Sequence, residues 1–181
     1  TLYVPEEIYP ITAAAASHEV MVQPVKDYRD ALQARHDVLA IGPGLGRSRE
    51  EEVLEIIRSA TQPMIVDADG LNILSTKPEV LNEAEGQRLL TPHPGEMARL
   101  APDLTGERAG IVASFVDRHP VTLLLKGSRT LIGERGRPLV YNSTGNPGMG
   151  SGGMGDVLTG VLAALAGRGL SLYDTGQLGA W

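Results

Sequence analysis

The chain has 181 residues, 42% hydrophobic, 21% charged and only 4% aromatic, which suits one α/β domain cored on Leu, Ile, Val and Ala. The absence of cysteine excludes disulfides, thiolate metal sites and cysteine nucleophiles, and it fits a reducing cytoplasm. A net charge of -6 without a basic run argues against nucleic acid as a partner, and no apolar stretch approaches the ~20 residues of a membrane helix.

Thr1–Val4 already reads as a strand, with nothing before it like a signal peptide, so the chain is expected to be a piece of a longer protein. Val38–Ile41, Met64–Val66 and Val121–Leu125 are short runs apolar on both faces, the mark of parallel strands covered by helices. Between the first two, Glu50–Ala60 puts Val53, Leu54, Ile56 and Ile57 on one helical face, with Ser48 as the expected cap. This is a βαβ unit. Gly70–Leu81 reads as a helix interrupted by Pro78, Arg88–Thr91 as a strand, and Gly95–Leu100 as the start of a helix. Arg108–Arg118 is helical up to His119 and Pro120. Leu123–Lys126, Thr130–Gly133 and Leu139–Asn142 follow as strands joined by glycine-containing turns, and Gly155–Leu165 is a strongly apolar helix. The expected architecture is one α/β domain over residues 1–181, in three layers, its mostly parallel sheet flanked by helices.

Glycines crowd two strand-to-helix junctions. Gly42-Pro43-Gly44-Leu45-Gly46 either makes a tight turn or lets backbone N–H groups approach a ligand. The dinucleotide fingerprint fails here, because Arg47 stands where its third glycine belongs. Asp67, Asp69 and Asn72 fall at the carboxyl end of the next strand, where open α/β sheets place ligands. Asp69 caps the following helix or contacts a ligand or a hydrated cation, two readings of equal weight. His93 is held between Pro92 and Pro94 in a stiff loop, which favours a functional role, whereas His18, His36 and His119 read as structural. Glu96 either complements a helix dipole or places Mg2+ through water. Lys126, Gly127, Ser128, Arg129 and Thr130 join two strands with two cations, two hydroxyls and exposed backbone, a set suited to a nucleotide phosphate or ribose.

The densest glycine run ends in Gly152, Gly153, Met154 and Gly155. Their successive N–H groups at a helix N-terminus make an anion hole for a phosphoryl group in transfer. Asp156, beside it, either caps the helix or accepts a proton from an attacking hydroxyl. A Walker loop is excluded because the cluster lacks lysine, and a nucleophile elbow because Met149 occupies the position of its first glycine.

Five segments in this order, IGPGLG (41–46), VDADGLN (66–72), LTPHPGE (90–96), KGSRT (126–130) and NSTGNPGMGSGGMGDVLTG (142–160), resemble the ADP- or ATP-dependent NAD(P)H-hydrate dehydratases of the ribokinase-like superfamily. The resemblance implies a three-layer ribokinase-like fold and a reaction that phosphorylates the hydroxyl of hydrated NADH or NADPH and then expels phosphate. By the same resemblance Lys126 to Thr130 and Gly155 bind the adenine nucleotide. Gly44 or Gly46, Asn72, His93 and Asp156 contact the substrate, and Asp156 is the catalytic base. Mg2+ is the implied cofactor. Sugar kinases of the superfamily carry an acidic residue six positions before the catalytic aspartate. Gly150 stands there, which favours the dehydratase branch and leaves the metal to Glu96 or Asp69 through water. The resemblance further implies a cytoplasmic homo-oligomer, commonly a tetramer, an epimerase partner fused or separate, and an N-terminal segment and a C-terminal helix beyond this chain. Two alternatives remain at this point: a kinase for a vitamin-precursor alcohol, and a nucleotide sensor without turnover.

Overall fold

A computed structural model describes the chain from Thr1 to Trp181. The chain opens with β1 (Leu2–Pro5), α1 (Tyr9–Ala15) and β2 (Val22–Val25), and the two strands pair in parallel as a small separate sheet. The large sheet then takes its strands in chain order: β3 (Leu39–Ile41), β4 (Met64–Val66), β5 (Arg88–Leu90), β6 (Thr122–Leu125), β7 (Leu131–Glu134) and β8 (Val140–Tyr141). The first four run parallel, with Ile65 opposite Leu89, because a helical crossover separates each pair. The short 126–130 connection allows only a hairpin, so β7 and β8 turn antiparallel, with Leu124 opposite Ile132.

Alternation along the strands divides the core in two. Met64, Val66, Leu90, Leu123, Leu125 and Leu131 face α2 (Glu50–Ser59), α3 (Ala68–Leu74), α4 (Pro94–Leu100) and α5 (Arg108–Arg118). Ile65, Leu89, Leu124 and Ile132 face α6 (Met154–Gly167) and α7 (Leu172–Ala180). These are the expected three layers. Arg88 is the polar exception inside them, 1% exposed. Its guanidinium donates to the carbonyls of Ile57 at 2.8 Å and Ala60 at 2.6 Å, closing the carboxyl end of α2. Burial pushes it down to about 10, so it stays cationic at neutral pH.

Local expectations change in four places. Ser48 does not cap α2, whose N-cap is Arg49 without a side-chain bond. The helix expected over Gly70–Leu81 ends at Leu74, and Pro78–Asn82 forms a 3-10 turn instead. Neither α1 nor α7 was expected. No helix is long and apolar enough to cross a membrane.

Candidate active site

The carboxyl ends of the parallel strands carry the predicted segments. β3 runs into Gly42, whose φ of +131° brings its Cα onto the Asp67 backbone; a Cβ there would stand 1.7 Å from the Asp67 carbonyl oxygen. The rest of the loop is tied down by Asp69, whose Oδ2 accepts from the Gly46 N–H at 2.9 Å. Asn72 Nδ2 donates to Asp69 Oδ1 at 3.4 Å, and Arg99 Nε donates to Asn72 Oδ1 at 3.0 Å. Asp69 therefore ties the 42–46 loop to the first turn of α3 and does not cap that helix.

Asp67, 1% exposed, sits beneath this loop. Lys126 Nζ donates to its Oδ1 at 2.7 Å, and Thr159 Oγ1 donates to its Oδ2 at 2.9 Å. The same ammonium lies 4.0 Å from Glu96 Oε2. Gly155 covers the pair: a Cβ on it would be 3.5 Å from both Asp67 Oδ2 and Lys126 Nζ. The sequence places Asp67 at a ligand-binding strand end but gives Thr159 no role and does not join either to Lys126, because nothing local marks a contact that spans 92 residues.

His93 is the N-cap of α4. Its Nδ1 accepts from the N–H groups of Gly95 at 3.0 Å and Glu96 at 3.2 Å, while Glu96 Oε2 accepts from the His93 N–H at 2.8 Å. Two donors on Nδ1 put the ring proton on Nε2, which lies 3.5 Å from Glu96 Oε1. The ring is half-exposed, as the flanking prolines predict, but its first task is structural. Both candidate metal carboxylates are thus already engaged, Asp69 with Gly46 and Glu96 with His93. No group of three metal-binding side chains forms anywhere in the chain.

The first turn of α6 carries the residues expected to form an anion hole. Gly153 precedes it in a left-handed conformation, φ +85°. The N–H groups of Gly152, Gly153, Gly155 and Asp156 have no acceptor within the protein, whereas Met154 N–H leans on Ser151 O at 3.4 Å. Met154 is therefore the weakest of the expected donors, and the amide of Asp156 joins the set. The Asp156 carboxylate is exposed and makes no hydrogen bond or ion pair, so it does not cap the helix.

A cleft of about 1110 Å3 opens between the Lys126–Thr130 loop and the start of α6. It brings together His93, all five residues of that loop, Met154 and Gly155. Val157 and Val161 give it an apolar wall, and they are 58% and 42% exposed on a helix that buries only Thr159, Leu162 and Ala166. Gly44, Gly46, Asp69, Asn72, Glu96, Gly152, Gly153 and Asp156 lie outside its lining. The predicted site is therefore two clusters, a cleft on the α6 side and the Gly46–Asp69–Asn72–Arg99 network. Asp156 lies next to the cleft, since both of its chain neighbours line it.

A mostly parallel sheet between two helical layers is the ribokinase-like fold. The structure is similar to that of a ribokinase-like superfamily protein from Enterococcus faecalis V583, with TM-score 0.79 and 26% identity over 98% of this chain and 64% of that one. It is also similar to an ADP/ATP-dependent NAD(P)H-hydrate dehydratase from Bacillus subtilis co-crystallised with ATP/Mg2+ and soaked with CoA, with TM-score 0.70 and 26% identity over 96% of this chain and 63% of that one. The family model for NAD(P)H-hydrate dehydratase matches residues 3–181, and the chain belongs to that family. A bifunctional NAD(P)H-hydrate repair enzyme from Moorella thermoacetica is 46% identical over 165 residues, which is 84% of this chain and 31% of that relative. The chain thus spans about a third of that relative's length.

Proposed function

We propose that this chain is the catalytic part of a dehydratase that returns hydrated NADH and NADPH, as the S epimer, to NAD(P)H at the expense of ADP or ATP. The observation that carries the proposal is the row of unpaired amides at Gly152, Gly153, Gly155 and Asp156, with Gly155 packed beside the Lys126 ammonium and an uncommitted carboxylate on Asp156. The nucleotide occupies the cleft, its base against Val157 and Val161 and its phosphates toward Lys126 and the α6 amides. Asp156 takes the proton of the substrate's ring hydroxyl as that oxygen attacks the terminal phosphoryl group, while the amides hold the phosphoryl oxygens. The new phosphate ester is a better leaving group than hydroxide. Its loss, with a proton from the neighbouring ring carbon, restores the double bond.

Mg2+ belongs to the same proposal, and its chemistry is to neutralise phosphate charge. The residues fit an ion held mainly by nucleotide oxygens and water, with Glu96, 4.0 Å from Lys126 Nζ, as the protein carboxylate that would reach it through water. Asp69 is the weaker candidate, because its carboxylate holds the Gly46 loop. A cytoplasmic homo-oligomer working with an epimerase completes the proposal.

The test is recovery of NADH absorbance from hydrated NADH by the full-length protein with Mg2+ and either nucleotide. Asp156→Asn is expected to abolish recovery and to leave nucleotide affinity within about threefold. No recovery with either nucleotide rejects the proposal. A stable phosphorylated alcohol among the products would establish a small-molecule kinase instead.

A further inference from the structure

Arg108 lies outside every segment singled out above and outside the lining of the cleft. It is the first residue of α5, where a cation opposes the helix dipole. Its guanidinium turns away to the loop between β6 and β7. Nη1 donates to Ser128 O at 2.8 Å, and Nη2 donates to Leu125 O at 3.1 Å and Lys126 O at 3.2 Å. Its Nε is buried without a partner. A misplaced cation and an orphaned donor are two local costs, and such costs are retained where an element serves a site.

The loop has a reason to need the support. Gly127 and Arg129 take φ values of +142° and +57°, conformations that a free chain seldom holds together. A Cβ on Gly127 would come within 3.1 Å of Arg108 Nη2, so the guanidinium occupies the space that the missing side chain leaves. One further side-chain bond braces the loop carbonyls, from Thr130 Oγ1 to Gly127 O at 3.2 Å.

We propose that Arg108 is a positioning residue for the adenine nucleotide: by gripping the carbonyls of Leu125, Lys126 and Ser128, it holds the 126–130 loop in its cleft-lining conformation before the ligand arrives. The proposal rests on the cleft's being the nucleotide site. A planar fork reaches three carbonyls at once, whereas a lysine ammonium on a flexible stem does not hold them in one geometry. Without the fork, the loop must be ordered by the ligand, and that cost is subtracted from affinity.

The experiment is calorimetric titration of the full-length protein with ADP and with ATP, each with Mg2+, for the wild type, Arg108→Met, Arg108→Ala and Arg108→Lys. Arg108→Met and Arg108→Ala are expected to weaken binding about tenfold or more, and Arg108→Lys to stay at least about fivefold weak. Arg108→Met retains the apolar stem and keeps the test open if Arg108→Ala folds poorly. Affinities within about twofold of wild type in both neutral variants overturn the proposal, and so does full recovery in Arg108→Lys, which would reduce the effect to charge. Failure of the wild type to bind either nucleotide would overturn the functional reading itself, and the inference with it.

Discussion

Gly42→Ala is the sharpest steric test of how the site is built. The added Cβ would stand 1.7 Å from the Asp67 carbonyl oxygen, where real contacts do not fall below 3.0 Å, so the end of β3 must retreat from β4 by about 1.3 Å (3.0 minus 1.7). That movement stretches the bond from Asp67 N–H to Ile41 O, now 3.1 Å, whose loss costs about 1 kcal/mol. Holding alanine at φ +131° adds roughly 1–3 kcal/mol. The sum is about 2–4 kcal/mol of stability. Gly44→Ala is the control: its φ is +67° and a Cβ there meets nothing within 4 Å, so only the left-handed backbone cost of about 1 kcal/mol applies. Denaturant unfolding of the two variants at one pH measures the difference. Nucleotide titration adds a second axis, because only Gly42→Ala disturbs the residue that holds Lys126. A Gly42→Ala variant no less stable than Gly44→Ala would refute the close-approach argument.

Two further perturbations test the support beneath the site. Thr159→Val removes the hydroxyl that donates to Asp67 Oδ2 and leaves a buried carboxylate short of one partner; it should lose about 1–3 kcal/mol in thermal or denaturant unfolding, while Thr159→Ser recovers most of it. His119 is pushed below its ordinary value by burial first, then by Arg118 and Arg135. The unfolded chain therefore takes up the proton at higher pH than the folded one. The stability His119 contributes is complete above about pH 6.5 and is lost as pH falls from there through its lower folded value. Unfolding midpoints from about pH 7.5 to about pH 5.5 should show this slope, and His119→Gln should flatten it.

The parallel core was legible because both-face apolar runs such as Met64–Val66 have one stable home, between two helical layers. α1 was not, for the opposite reason: it buries none of its residues, so its sequence carries no apolar period. α7 carries two glycines, Gly176 and Gly179, whose low helix propensity weakens its local signal. Their use is close packing, since a Cβ on Gly179 would fall 2.5 Å from a Leu162 methyl. Within the site, whatever depends on neighbours in sequence could be seen, as with the His93–Glu96 segment and the glycines before Asp156. The Asp67–Lys126–Thr159 cluster could not, because its members lie just past β4, just past β6 and in α6 and meet only after the sheet is ordered.

That cluster also explains why an acidic chain needs amides to hold an anion. Lys126 is the cation best placed for a phosphate, yet one carboxylate touches it at 2.7 Å and a second stands at 4.0 Å. The fixed side-chain charges beneath α6 therefore come to one positive and two negative, a net repulsion for any phosphoryl group. Attraction has to come from elsewhere. On the proposed function, the unpaired N–H groups at the start of α6 supply it without adding a mobile charge. With its ammonium held by Asp67, Lys126 would serve the proposed function as a fixed point for aligning phosphates, and binding strength would fall to the helix and to the loop that Arg108 contacts.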